Sequence, residues 1–161
     1  MKLDRTDLRI LEVLQREGRI TNAELAERVN LSAAPCLRRL QRLERDGVIA
    51  GYGARVDPKA VGLGLQAFVR VQLETHDSKH VKRFAALMAE AEEVVSCWSL
   101  TGEMDYLLQV AVADLEHYNS FIMGRLLRDG GVRDVNSSFV LGTIKSQRGW
   151  PLAQARGEGT D

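Results

Sequence analysis

Residues 32–47 read SAAPCLRRLQRLERDG. Cys36, Leu37, Leu40 and Leu43 recur at helical spacing and make one apolar stripe, while Ala34, Arg38, Arg39, Arg42 and Arg45 fall elsewhere. Pro35 lies three residues past Ser32, where its missing N–H is among those a helix start leaves unpaired. It therefore argues for a helix that begins at 32–33 with Ser32 as its cap, and Gly47 ends that helix. A helix so apolar on one side and so basic on the other has two readings. It is the solvated face of a three-helix interaction domain, or a surface built to lie against phosphate.

The preceding residues narrow the choice. LDRTDLRILEVLQREG (3–18) places Leu3, Leu8, Ile10, Leu11 and Leu14 at helical spacing, with Asp4 as N-cap and Gly18 as stop. TNAELAERVN (21–30) offers Thr21 as N-cap with Glu24 three residues on, a capping box, and apolar Ala23, Leu25, Ala26 and Val29. VIAGYGARV (48–56) reads as two short strands or a ribbon that bends at Gly51 and Gly53. Helix, short helix, tight turn, helix is the helix-turn-helix order, in which the last helix enters the major groove by its N-terminal half. Small Ser32, Ala33 and Ala34 permit close approach there. Arg38, Arg39 and Arg42 reach phosphates or a guanine edge. With Thr21, Asn22 and Pro35 they form the set of candidate DNA-contacting residues.

Beyond VDPKAVG (56–62), a turn and linker, strands and helices alternate. LGLQAFVRVQLE puts Leu65, Ala67, Val69, Val71 and Leu73 on one strand face. DSKHVKRFAALMAEAEEV is an amphipathic helix with Val81, Phe84, Leu87 and Met88 facing inward. VVSCWSLTG and MDYLLQVAVAD are strands joined at 102–104. LEHYNSFIMGRLLRD is a second helix, using Leu115, Tyr118, Phe121, Ile122, Leu126 and Leu127, and VRDVNSSFVLGTIKSQ a last strand. The order β-α-β-β-α-β is the ferredoxin-like split unit, whose sheet carries helices on one face only. The other face is expected to be rich in Val, Leu and Phe and to be covered by dimerisation. The turn LTGEMDYLL (100–108) crowds Thr101, Gly102, Glu103, Asp105 and Tyr106 together. Asp105 there is either a ligand for an ammonium group or a solvated acid in an ordinary hairpin. GLGLQA (62–67) matches a loose dinucleotide-binding pattern, but it precedes a strand and opens no helix, so it is set aside.

Composition agrees with this division. Hydrophobic residues make up 45% of 161, enough for a packed core. Residues 1–56 carry 11 Lys and Arg against 8 Asp and Glu, while 57–161 carry 11 against 14, so a basic N-terminal part precedes an acidic C-terminal part. Cys36 and Cys97 sit in apolar patterns and read as small buried hydrophobes. His76, His80 and His117 make no metal box, and no nucleophile or paired-carboxylate spacing suggests catalysis, so no metal site, no catalytic residue and no cofactor is expected. No apolar run reaches the roughly 18 residues of a membrane span. The N-terminus lacks the apolar core of a signal peptide, so the expected location is the cytoplasm.

The stretches LDRTDLRILEVLQREGRITNAELAERVNLS, PCLRRLQRLERDGVIAGY, TGEMDYLL and SSFVLGTIK together resemble the Lrp/AsnC, or feast/famine, transcription regulators over residues 2–148. LSAAPCLRR is most similar to the leucine-responsive branch. The resemblance implies an α+β chain. A three-helix, winged helix-turn-helix domain would span 1–50 and a ribbon and linker 51–62; beyond the resemblance, the tail 149–161 shows no pattern and is expected to be flexible. Residues 63–148 would form a ferredoxin-like βαββαβ domain for ligand sensing and dimerisation. It implies double-stranded DNA as partner, dimers assembling into octamers or similar rings, a nucleoid-associated location, and an amino-acid effector such as leucine bound between subunits. The effector residues it implies are Thr101, Gly102, Glu103, Met104, Asp105 and Tyr106, with Ser137 and Ser138 as companions. Two readings of other classes stand beside it: a small-molecule enzyme using the ferredoxin-like domain, and an oligomeric ligand-binding protein with no DNA function.

Overall fold

The computed structural model describes residues 2–147 and 149–152. The chain divides into two compact units, residues 1–55 with 145–161, and residues 56–144.

The first unit is built on three helices: α1 (Arg5–Arg16), α2 (Asn22–Arg28) and α3 (Ala33–Arg45). Asp4 and Asp7 close a reciprocal capping box on α1, and Thr21 and Glu24 do the same on α2. α1 stops at Arg16 with Glu17 as its C-cap, so Gly18 directly follows the cap, as expected. The turn into α3 is tight because α2 ends in a Schellman motif. Asn30 takes φ +56°, its N–H donates to the Glu27 carbonyl, and the Leu31 N–H donates to that of Ala26. α3 ends the same way, with Gly47 at φ +71° and the Val48 N–H donating to the Leu43 carbonyl. Ile10, Leu25, Ala26, Val29, Cys36 and Leu43 form the buried core, with Leu3, Leu14, Ile20, Leu40, Ile49 and Leu152 packed around it.

Three expectations change in this unit. Leu37 is 41% exposed and leaves the apolar stripe, since it lies a full 100° around the helix from Cys36. Ala23 is exposed too. Residues 48–56 contain no strand: a bend at 48–49 leads into an irregular segment tied down by side chains. The Tyr52 hydroxyl donates to Glu44 at 2.8 Å, and Arg55 donates to the Gln15 carbonyl at 3.3 Å.

The second unit is a four-stranded antiparallel sheet in the order β2-β3-β1-β4: β1 (Leu65–Leu73), β2 (Val94–Ser99), β3 (Tyr106–Val112) and β4 (Val132–Phe139). α4 (Ser78–Glu90) and α5 (Leu115–Phe121) pack on one face. α5 continues through a π-helical turn at Ile122–Leu126 into α6 (Leu127–Asp129). Ala67, Val69, Val71 and Leu73 alternate into the core with Leu108, Val110 and Val112, and they meet Phe84, Met88, Tyr118, Phe121 and Leu126 from the helices. Leu115 and Leu127 instead turn outward.

The uncovered sheet face is mixed, contrary to expectation. Phe68, Leu107 and Trp98 share it with Gln72, Gln109 and an Arg70–Asn136 hydrogen bond of 2.7 Å. The last strand also ends earlier, at Phe139. β1, its neighbour, begins at Leu65, so after the Val140 N–H donates to the Gln66 carbonyl there is nothing left to pair with. Leu141 and Ile144 are fully exposed. Most of the expected flexible tail lies outside the described residues, which reach Leu152. Within them the Gln15 amide donates to the Trp150 carbonyl at 3.2 Å and accepts from the Trp150 N–H at 2.5 Å.

Candidate DNA interface and effector loop

Ser32 takes the N-cap backbone conformation of α3, yet its hydroxyl makes no cap bond. An N-cap oxygen ordinarily accepts from the second or third residue of the helix. Here the third is Pro35, which has no N–H to give. Among the described residues the Ser32 hydroxyl has no partner, and it lies beside Ala33 and Ala34, whose N–H groups have none either, at the positive end of the helix. Thr21 differs, for its hydroxyl accepts from the Glu24 N–H and donates to Glu24 Oε2 at 2.7 Å. Asn22 donates its amide to the Ala33 carbonyl at 3.0 Å, fastening the start of α2 to the start of α3. Its Oδ1 is buried with no partner among the described residues.

The arginines of α3 are not equivalent. Arg39 Nη1 lies 2.5 Å from Asp4 Oδ2 and 2.8 Å from Asp7 Oδ1, and Arg42 Nη2 lies 2.5 Å from Asp7 Oδ2. Asp7 is 1% exposed, the one buried charged side chain among the described residues. The two carboxylates hold the Arg39 guanidinium even more firmly protonated than usual. Arg38 is exposed and makes no ion pair or hydrogen bond among the described residues. Pro35, Arg38, Arg39 and Arg42 nevertheless line one shallow basin. Arg45, at the far end, pairs with Asp46 at 3.1 Å.

In the second unit, the loop between β2 and β3 carries the expected effector residues. Gly102 sits at φ +114°, a conformation that side-chain-bearing residues rarely adopt. Asp105 is committed within the fold. Its Oδ2 accepts from the Leu73 N–H at 2.8 Å, and its Oδ1 lies 2.7 Å from His76 Nε2. The Leu73 N–H, and to a lesser degree His76, hold this carboxyl below its ordinary value against the opposing effect of burial. Spacing did not single out His76 as a neighbour of this loop, because its bond to Asp105 spans 29 residues. Tyr106 packs inward on Phe84, with ring centroids 4.5 Å apart.

Ser137 and Ser138 lie on opposite faces of β4. Ser137 pairs across from core-facing Val69 and accepts from the Tyr118 hydroxyl, while Ser138 pairs across from outward Phe68. The loop enters β3, and β4 is two strands away with β1 between them, roughly 9–10 Å at the usual strand spacing. One protomer thus does not bring the loop and the serines together. No group of three His, Cys, Asp or Glu side chains among the described residues could hold a metal ion. Cys36 is buried as expected, but Cys97 is exposed on the edge strand β2.

Comparison with known proteins agrees with both units. Residues 3–50 match the winged helix-turn-helix DNA-binding domain, and residues 66–150 match the Lrp/AsnC ligand binding domain. The DNA-binding transcriptional activator DecR of Escherichia coli is 40% identical over 150 residues, 93% of this chain and 99% of that protein. The leucine-responsive regulatory protein of Rhizobium meliloti is 41% identical, covering 90% of this chain and 93% of its own. A transcriptional regulator of Neisseria meningitidis, solved as a complex with L-Met, superposes with a TM-score of 0.91 at 47% identity, over 96% of this chain and 99% of that one. These relatives are transcription regulators, not enzymes. With a helix-turn-helix unit at one end and the matching ligand-binding fold at the other, this chain belongs to the Lrp/AsnC family of DNA-binding transcriptional regulators.

Proposed function

We propose that this regulator reads DNA with α3 and that an amino acid, leucine or one of similar size such as methionine, changes its assembly and thereby its DNA binding. The observation that carries the DNA half is the start of α3. The Ser32 hydroxyl, the N–H groups of Ala33 and Ala34, and Arg38, none of them with a partner among the described residues, form one surface with small residues at its tip. Helix N-termini of this kind take phosphate oxygens, and an arginine beside them reaches a guanine edge. Arg38 is the base-reading residue, and Arg39 and Arg42 offer their remaining N–H groups to the backbone. Pro35 shapes the helix start, while Thr21 and Asn22 set the angle at which α2 presents it.

On the effector side, the separation of the 101–106 loop from Ser137 and Ser138 within one protomer supports a site completed by a second copy. The L-Met of the Neisseria meningitidis neighbour supports an amino acid as the ligand. Asp105 shapes this loop; Thr101, Glu103, Met104 and the backbone at Gly102 face the ligand. Coupling follows if the ligand binds one assembly better than another, since only such a difference shifts the equilibrium. Dimers assembled into an octamer in the cytoplasm, on the nucleoid, fit this reading. Static light scattering and DNA binding, each titrated with the twenty amino acids, test it. One amino acid is expected to move both, and no change in either contradicts the proposal.

A further inference from the structure

Three of the four α3 arginines are ion-paired, and two of them, Arg39 and Arg42 in the basin beside Arg38, face carboxylates of α1 and its cap before DNA arrives. Arg39 bridges Asp4 and Asp7, and Arg42 takes the other oxygen of Asp7, so two guanidiniums face two carboxylates with no net charge. The carboxylates are fixed independently of the arginines. Asp7 Oδ2 accepts from the Asp4 N–H at 3.1 Å, and Asp4 Oδ1 accepts from the Asp7 N–H at 2.8 Å. Asp7 is also buried, so it cannot swing into water to release its partners. The neighbouring Arg38, on the same basin, has no such acid.

We infer that Asp4 and Asp7 mask Arg39 and Arg42 and are specificity-determining residues for DNA binding. The inference rests on the DNA reading of α3. Non-specific affinity comes from cations that displace counterions from phosphate, and each phosphate neutralised adds about 0.9 to the slope of log K against log salt. An arginine already paired with a fixed carboxylate contributes little to that sum. It yields to a phosphate only where the rest of the helix, Arg38 first, is seated on a matching site. The mask lowers binding to arbitrary DNA more than binding to the operator.

The test compares wild type with Asp4→Asn, Asp7→Asn and the double variant, on an operator duplex and a mixed-sequence duplex across a salt series. Asn caps a helix as well as Asp does, so Asp4→Asn keeps the α1 cap while leaving the single Asp7 carboxylate against two arginines; it frees one positive charge and serves alone if Asp7→Asn fails to fold. The expected result is a steeper salt slope, by about 0.9 for each arginine released, with several-fold tighter binding to mixed-sequence DNA and reduced preference for the operator. Folded variants whose slopes are unchanged or shallower, or whose binding weakens on both duplexes, overturn the mask and make the acids simple supports. If neither wild type nor any variant binds either duplex at low salt, the DNA reading itself falls and the mask with it.

Discussion

Replacing Asp105 by Ala and by Asn separates two roles for the acid at the centre of the effector loop. In the fold it receives the Leu73 N–H at 2.8 Å, and Leu73 is 2% exposed. Ala removes that acceptor and leaves a buried donor unpaired, at a cost of about 1–3 kcal/mol. Taking the middle of the range, a domain of this size loses roughly 8–16 °C in melting temperature. Asn keeps an acceptor for the Leu73 N–H and gives up only the charge, so it loses about 1 kcal/mol. The assay is thermal unfolding followed by amino-acid titration of each variant. If Asp105 builds the loop, Asp105→Asn retains effector binding and Asp105→Ala loses it along with stability. An Asp105→Asn protein that loses no more than that about 1 kcal/mol yet no longer binds any amino acid refutes this and makes the acid a direct partner of the ligand ammonium. The pH dependence carries the same sign. The folded Asp105 carboxyl lies below its ordinary value of 3.8, so its contribution is complete above that pH and disappears as pH falls through the lower folded value.

Replacing Arg38 by Ala is expected to weaken operator binding by about 1–3 kcal/mol and to relax selectivity at one base pair, checked by gel shift against single-base operator variants. Thr21→Ala is expected to destabilise the helix-turn-helix unit by about 1 kcal/mol, since it breaks a capping box. Ser32→Ala should leave melting unchanged within about 0.5 kcal/mol, as no cap bond is lost, while weakening DNA binding. Gly102→Ala meets open space but must hold φ +114°, so it should cost about 1–3 kcal/mol in calorimetry with no change in core packing.

Local chemistry made much of the fold legible. The cap at Asp4, the capping box at Thr21 and the glycine after α3 each act within a few residues, and period-two alternation assigned the core face of β1 correctly. What sequence reasoning missed depends on partners far along the chain. Arg39 and Arg42 share the spacing of a solvated or DNA-facing stripe, and only packing of α1 on α3 brings Asp7 to them across more than thirty residues. The same holds for His76 and Asp105. The early end of β4 is set by where β1 starts, which hydrophobicity in VLGTIK does not report. Ser32 is the instructive exception. Pro35, placed near the helix start by its own lack of an N–H, removes one of the two donors a Ser32 cap could accept from, and no bond to the other, Ala34, is formed.

The most direct test of the account is fluorescence anisotropy of the full-length protein on DNA from upstream of its own gene, against a scrambled duplex of equal length, with and without each amino acid, while mass is followed by light scattering. The account predicts salt-sensitive binding that prefers the upstream duplex, and at least one amino acid that shifts both that affinity and the assembly. Equal binding to both duplexes, or operator binding and mass that ignore all twenty amino acids, would contradict it.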